Sequence, residues 1–253
     1  MTWAEIVLLL AAGLAGGLAG SIAGLASVAT YPALLAVGLP PIAANVTNTV
    51  ALVGNAVGSI IGSRPELRGQ GTFLLRTIPL AALGGVLGAV LLLSTPAEGF
   101  EKLVPVLIGF SSIAIVWPRG APPADGDDHP RRSRKVVIFE GVAILVIAIY
   151  GGYFGAAAGV LLLALLLRAS EATLAHANAS KNVLLGTSNG VAAIIFVVVA
   201  PVHWPALIPL ALGCIVGSRL GPVVVRHAPA TPIRWLIGAG GLVLAIKLGL
   251  DAY

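Results

Sequence analysis

Apolar runs of about twenty residues recur from one end of this chain to the other, each long enough to cross a bilayer as a helix. In hydrocarbon the backbone must satisfy its own hydrogen bonds, which leaves only helices or closed barrels. The runs do not alternate polar and apolar residues as barrel strands do. The expected fold is all-α, a polytopic transmembrane helical bundle. Charge content agrees: 10% of the 253 residues are charged, against about a quarter in soluble domains. The formal net charge of +5 does not point to nucleic acid. Its basic residues sit in short loops between apolar runs, where they set orientation and meet anionic headgroups. Cys214, the only cysteine, excludes an intramolecular disulfide and a Cys-rich metal site. Met1 to Glu5 lack the basic start of a signal peptide, so the first run is expected to be a retained helix.

Apolar segments can be drawn at 4–20, 25–37, 43–62, 73–93, 100–117, 136–152, 155–167, 172–200, 205–225 and 233–250. About 8–10 of these are expected to be membrane segments. Those at 25–37 and 155–167 are short for an upright span and suit half-helices, re-entrant pieces or parts of broken helices. Between 118 and 135 the chain turns polar, with Asp125, Asp127 and Asp128 followed by Arg131, Arg132, Arg134 and Lys135. The organisation expected is a first membrane repeat over 1–117, a connecting loop over 118–135 and a second repeat over 136–253. The loops Arg64 to Arg76 and Arg226 to Arg234 are also basic, whereas 38–42, 94–99 and 201–205 carry no Lys or Arg. With basic loops cytoplasmic, ten crossings thread consistently and leave both termini outside.

An internal repeat organises these segments. Gly16-Gly17-Leu18-Ala19-Gly20-Ser21-Ile22-Ala23-Gly24 recurs as Gly151-Gly152-Tyr153-Phe154-Gly155-Ala156-Ala157-Ala158-Gly159. Ala44-Asn45-Val46-Thr47-Asn48-Thr49 recurs as Ala177-Asn178-Ala179-Ser180-Lys181-Asn182. Pro79-Leu80-Ala81 with Gly84 and Gly88 recurs as Pro209-Leu210-Ala211 with Gly213 and Gly217. The order is the same in both halves. Five segments per half is an odd number, so the second copy is expected to be inverted, as in many secondary transporters.

Two features carry the candidate site. Glycines spaced by four form ladders that let neighbouring backbones approach. Among them Gly20, Gly24, Gly155 and Gly159 precede the short segments, where glycine permits a helix break that bares backbone N–H groups to an anion. The second feature is a polar stripe in each half. Asn45, Asn48 and Thr49 share one helix face, and Asn55 extends it. Asn178, Lys181 and Asn182 do the same in the second copy, extended by Asn189. Thr47 and Ser180 are candidate helpers. Asparagine is costly in lipid, so both stripes need a protein or water partner. In an inverted repeat they are expected to face one another near the midplane and line a shared pocket. The alternative is that they only join helices by hydrogen bonds.

Lys181 is the sharpest candidate. A buried ammonium is expensive and usually functional, and it offers a point charge to a small oxyanion. Its alternative is to snorkel to the interface from near the helix start. His176, nearer that start, is a candidate for proton coupling or an interfacial residue. No segment offers paired carboxylates, a metal-spaced His/Cys/Glu set or a phosphate loop, so neither an enzyme nor a cofactor or metal site is expected. Gly186-Thr187-Ser188-Asn189-Gly190 matches a serine-hydrolase pattern, but inside a membrane helix rather than on a strand-to-helix elbow.

At these residues the chain resembles the TauE/SafE sulfite-exporter family over nearly its whole length. The resemblance rests on the Gly-rich opening of each half, Tyr31-Pro32, Gly38-Leu39-Pro40-Pro41 and Ala44-Asn45-Val46-Thr47-Asn48-Thr49. Gly152-Tyr153-Phe154-Gly155, Ala179-Ser180-Lys181-Asn182 and Pro209-Leu210-Ala211-Leu212-Gly213 with Gly217 complete it. It implies a transporter of small sulfur-containing anions, such as sulfite or sulfonates, in the cytoplasmic (inner) membrane. The leading expectation is a secondary transporter working by alternating access, with an anion channel and a non-transporting membrane scaffold as alternatives.

Overall fold

The computed structural model describes residues 1–100, 134–156, 158–169 and 173–227, with scattered positions beyond them. The expected segments at 100–117 and 233–250 and the loop at 118–135 lie largely outside the described residues. Within them the chain is helical, with no strand. The helices are α1 (Trp3–Ala23), α2 (Ala26–Ala36), α3 (Pro41–Gly62), α4 (Gly71–Ser94), α5 (Arg134–Tyr153), α6 (Ala158–Ala169), α7 (Leu174–Val199) and α8 (Trp204–His227).

Local chemistry sets the ends. Thr2 and Glu5 form a capping box at the start of α1: the Thr2 hydroxyl accepts from the Glu5 N–H, and the Glu5 carboxylate accepts from the Thr2 N–H. α1 closes at Gly24, whose φ of 76° is left-handed, with the Leu25 N–H reaching back to the Ala19 carbonyl. α5 closes in the same way at Gly155, φ 71°. Pro41 opens α3 at its first turn, where a missing N–H costs nothing. Pro79 in α4 and Pro209 in α8, matched in the repeat, lie inside their helices.

Five of these helices are long and apolar enough to cross a bilayer: α1, α4, α5, α7 and α8. α3 has the length but carries the first polar stripe along its buried face. α2 and α6, at 11 and 12 residues, reach about half the hydrocarbon core. α2 does not continue α1 across the membrane. It folds back along it, with Gly16 against Thr30 and Gly20 against Ala26. The ten-crossing thread holds only if both short segments span, and at 11 and 12 residues each is shorter than an upright crossing needs. Val7, Leu75, Phe139, Ile194 and Val198 are all more than 60% exposed, a display that fits lipid and not water.

The glycine ladders serve close packing, and they also report helix direction. A Cβ on Gly13 would meet the Leu210 carbonyl, and one on Gly17 the Cys214 carbonyl; Gly213 and Gly217 sit reciprocally against Leu10 and Leu14. Residue numbers rise together, so α1 and α8 run parallel. Gly84 against Ala148 and Gly88 against Ile149 place α4 parallel to α5 in the same manner. Among the described residues, the first helix of each half therefore pairs with the last described helix of the other. Near the start of α7, Ser180 is bonded to Gln70 at the far end of the linker that follows α3, and near the start of α3, Thr47 is bonded to His203 at the far end of the linker that follows α7. α3 and α7 are thus antiparallel, the arrangement that an inverted repeat requires.

Candidate functional site

The two helix breaks touch. A Cβ built on Gly24 would lie 2.2 Å from the Gly159 Cα, and one on Gly159 would lie 2.3 Å from the Gly24 Cα. Only backbone fits here. The left-handed turns belong to Gly24 and Gly155. Gly20 and Gly159 are helical and serve close approach instead, Gly20 under Ala26 and the Asn55 amide.

Each polar stripe reaches the break of the other half. Asn45 donates to the Tyr153 carbonyl at the end of α5, 2.8 Å away. Asn178, its counterpart in the repeat, donates to the Ser21 carbonyl at the end of α1, 2.9 Å away. A carbonyl only accepts, so each amide must turn its nitrogen to the helix end. This leaves Asn45 Oδ1 and Asn178 Oδ1 buried without a partner. The bonds run from each stripe to the opposite break, and among the described residues none runs from stripe to stripe. The reason is electrostatic: the last carbonyls of a broken helix lack intrahelical donors and carry the negative end of its dipole.

Lys181 has no exposed surface. Its Nζ donates to the Gly20 carbonyl at 3.1 Å and the Ser21 carbonyl at 3.4 Å. It lies inward and does not snorkel. An ammonium in this setting loses hydration worth several kcal/mol, and the α1 carboxyl-end dipole offsets part of that loss.

The first stripe is tied to α2. Asn48 donates to Ser27 Oγ at 3.1 Å and accepts from the Thr30 hydroxyl, which also bonds the Ala26 carbonyl. Thr49 turns back to the Asn45 carbonyl. Thr47 accepts from the His203 backbone N–H at 3.0 Å. Ser180 donates to Gln70 Oε1, and the Gln70 amide nitrogen bonds the His176 carbonyl at 3.0 Å. The His176 ring contacts the Thr173 hydroxyl at the N-cap of α7. Asn182 Nδ2 and Asn55 Oδ1 are buried without partners, whereas Asn189 is half-buried further along α7. Ser27, Thr30 and Gln70 were not singled out from the sequence. Ser27 and Thr30 carried a weak signal, since their spacing of three puts them on one face of α2.

The site is closed: Asn45, Thr47, Asn48 and Lys181 are all at 0% exposure. An apolar cleft of about 540 Å³ lies elsewhere, lined by Val53, Thr187, Val191, Ile194 and Val197 among others; none of the predicted site residues lines it. Because Asn45 and Asn178 play matched parts, Asn45→Leu and Asn178→Leu are expected to cost similar stability. About 1 kcal/mol each is expected for a helix-to-helix bond within a membrane. Denaturation in detergent micelles measures this, and a cost confined to one of the two would break the equivalence.

The family described as "Sulfite exporter TauE/SafE" matches residues 9–248. The "Probable membrane transporter protein YfcA" of Escherichia coli (strain K12) is 26% identical over 88% of this chain and 82% of its own length. The "Probable membrane transporter protein" of Haemophilus influenzae is 25% identical over 88% and 86%. The "Probable membrane transporter protein ORF9" of a Sinorhizobium species is 28% identical over 88% and 84%. No solved structure matches the chain.

Proposed function

The chain belongs to the sulfite exporter TauE/SafE family, a family of multi-pass membrane transporters, and we propose that it carries a small sulfur-containing oxyanion, such as sulfite or a sulfonate. The observation that carries this reading is Lys181, a buried ammonium held on the Gly20 and Ser21 carbonyls. A site that keeps a positive charge away from water selects for anions by charge and for small ones by space. Asn182 Nδ2, a buried donor with no partner, supplies a hydrogen bond that an oxyanion can accept.

Alternating access is the mechanism this reading favours over a channel, because the site is buried and a carrier must be closed to both sides at one stage of its cycle. Driving force comes from the membrane potential or from a proton gradient, with His176 as the candidate proton-linked side chain. The bacterial relatives favour the cytoplasmic membrane as its location.

The test is flux into proteoliposomes across a panel of sulfite, sulfonates, sulfate and chloride. The expected result is uptake that saturates with sulfite or a sulfonate and responds to an imposed potential or pH gradient. Uptake linear in concentration favours a channel. No uptake of any anion in the panel favours a scaffold and overturns the proposal.

A further inference from the structure

The hydroxyls Thr47 and Ser180 occupy the same place in the two copies, and each meets the last residue of a linker, Ser180 donating to the Gln70 side chain and Thr47 accepting from the His203 main-chain N–H. Ser180 at the start of α7 bonds Gln70, the last residue of the 63–70 linker between α3 and α4. Thr47 at the start of α3 bonds His203, the last residue of the 200–203 linker between α7 and α8. Each half therefore closes its linker over the other half's polar helix. The two closures lie at opposite ends of an antiparallel helix pair. From Thr47 to the end of α3 the helix rises roughly 20 Å. They also lie on opposite sides by charge: the first linker contains Arg64 and Arg68, while the second contains no Lys or Arg.

We infer that these are the two gates of the transport cycle, Gln70–Ser180 on the cytoplasmic side and His203–Thr47 on the outer side. The inference rests on the carrier reading above, and the structure has both gates shut. Bond strength suits the role. The Gln70 amide spends both kinds of its hydrogen-bonding capacity here, on Ser180, the His176 carbonyl and the Glu66 carbonyl. Gln70 is only half-buried, so water can replace those partners. Each such bond is worth about 0.5–1.5 kcal/mol, enough to hold a gate and little enough to release it within a transport cycle. Each gate bond lies two residues from an asparagine that grips the opposite break: Ser180 from Asn178, Thr47 from Asn45. A movement at one end is thereby passed to the break beside the site.

Cysteine pairs test this in proteoliposomes of uniform orientation, on a Cys214→Ala background. Gln70→Cys with Ser180→Cys, and Thr47→Cys with His203→Cys, are each joined by a short bifunctional thiol reagent that a reductant releases. Flux is read on these pairs alone; in separate variants used only for labelling, where maleimide is added after the lock, a third substitution, Asn182→Cys, reports access to a membrane-impermeant maleimide added from one side. The expected result is at least a tenfold loss of anion flux on locking either pair, restored by reductant. Position 182 should label only from outside with the first pair locked, and only from the cytoplasmic side with the second locked. Labelling from the same side in both cases, or flux unchanged by either lock, overturns the inference. The labelling needs no transported substrate, so it stands apart from a failure to identify the anion. The reduced form of each variant serves as its own folding control.

Discussion

Lys181→Met is expected to lower anion flux by roughly 10- to 150-fold while the protein remains folded. The loss follows from removing a charge-assisted hydrogen bond to the anion, about 1.5–3 kcal/mol, at 1.36 kcal/mol per tenfold in rate. Folding survives because neither carbonyl on which the ammonium sits is orphaned. The Gly20 carbonyl still accepts from the Gly24 N–H at 2.8 Å, and the Ser21 carbonyl still accepts from Asn178 at 2.9 Å. Methionine fills most of the space without the desolvation cost of a buried cation, so the variant should unfold no earlier than wild type. Lys181→Ala removes the same charge but leaves a cavity, and a lower Tm with the same flux loss is expected of it. Proteoliposome flux together with thermal unfolding in detergent separates the two effects. Lys181→Arg is a further control. It keeps the charge but brings a planar fork to a seat built for a point charge, so partial flux is expected.

Gly24→Ala is expected to be the most damaging single methyl in the described chain. The added Cβ would stand 2.2 Å from the Gly159 Cα, a backbone atom that no rotamer change can move, and φ at Gly24 is +76°. Left-handed strain costs about 1–2 kcal/mol for a residue with a Cβ, and overpacking adds about 1–3 kcal/mol. At roughly 2–4 °C per kcal/mol for a chain of this size, the Tm falls by about 10 °C. Gly159→Ala meets the same contact from the other side, without the φ penalty, so a smaller loss is expected. Gly190→Ala is the control. Nothing lies within 4 Å of its Cβ position, it is helical, and alanine there stabilises by up to about 1 kcal/mol. A Tm for Gly24→Ala within a degree or two of wild type would mean that the breaks do not touch.

Much of this architecture is legible in the sequence because lipid imposes simple rules. Run length separates the spanning helices from α2 and α6, and the expected bounds of 25–37 and 155–167 lie close to Ala26–Ala36 and Ala158–Ala169. The repeat is readable because Asn45 and Asn178 stand in matched settings. Which partner each asparagine takes is not readable. Tyr153 and Ser21 contribute main-chain carbonyls, and a carbonyl is the same in every residue. Gln70 was missed for a related reason. It sits in a polar linker, where a glutamine carries no burial signal, and its role exists only because α7 begins beside it. The expectation that the stripes line a shared pocket reflects a true property, the cost of asparagine in lipid. For Asn45 and Asn178 that cost is met at the opposite break, and for Asn48 it is met on α2.

On the proposed reading, the stripes and breaks form an anion site around the buried Lys181 ammonium, where two broken helices meet. Equilibrium binding of sulfite and of a simple sulfonate to purified protein in detergent, for wild type and Lys181→Met, tests that claim most directly. Saturable binding of at least one of them to wild type is expected, with a 10-fold or greater weakening in the folded variant, on the same charge-assisted hydrogen-bond estimate. Equal affinity in the two proteins would contradict it.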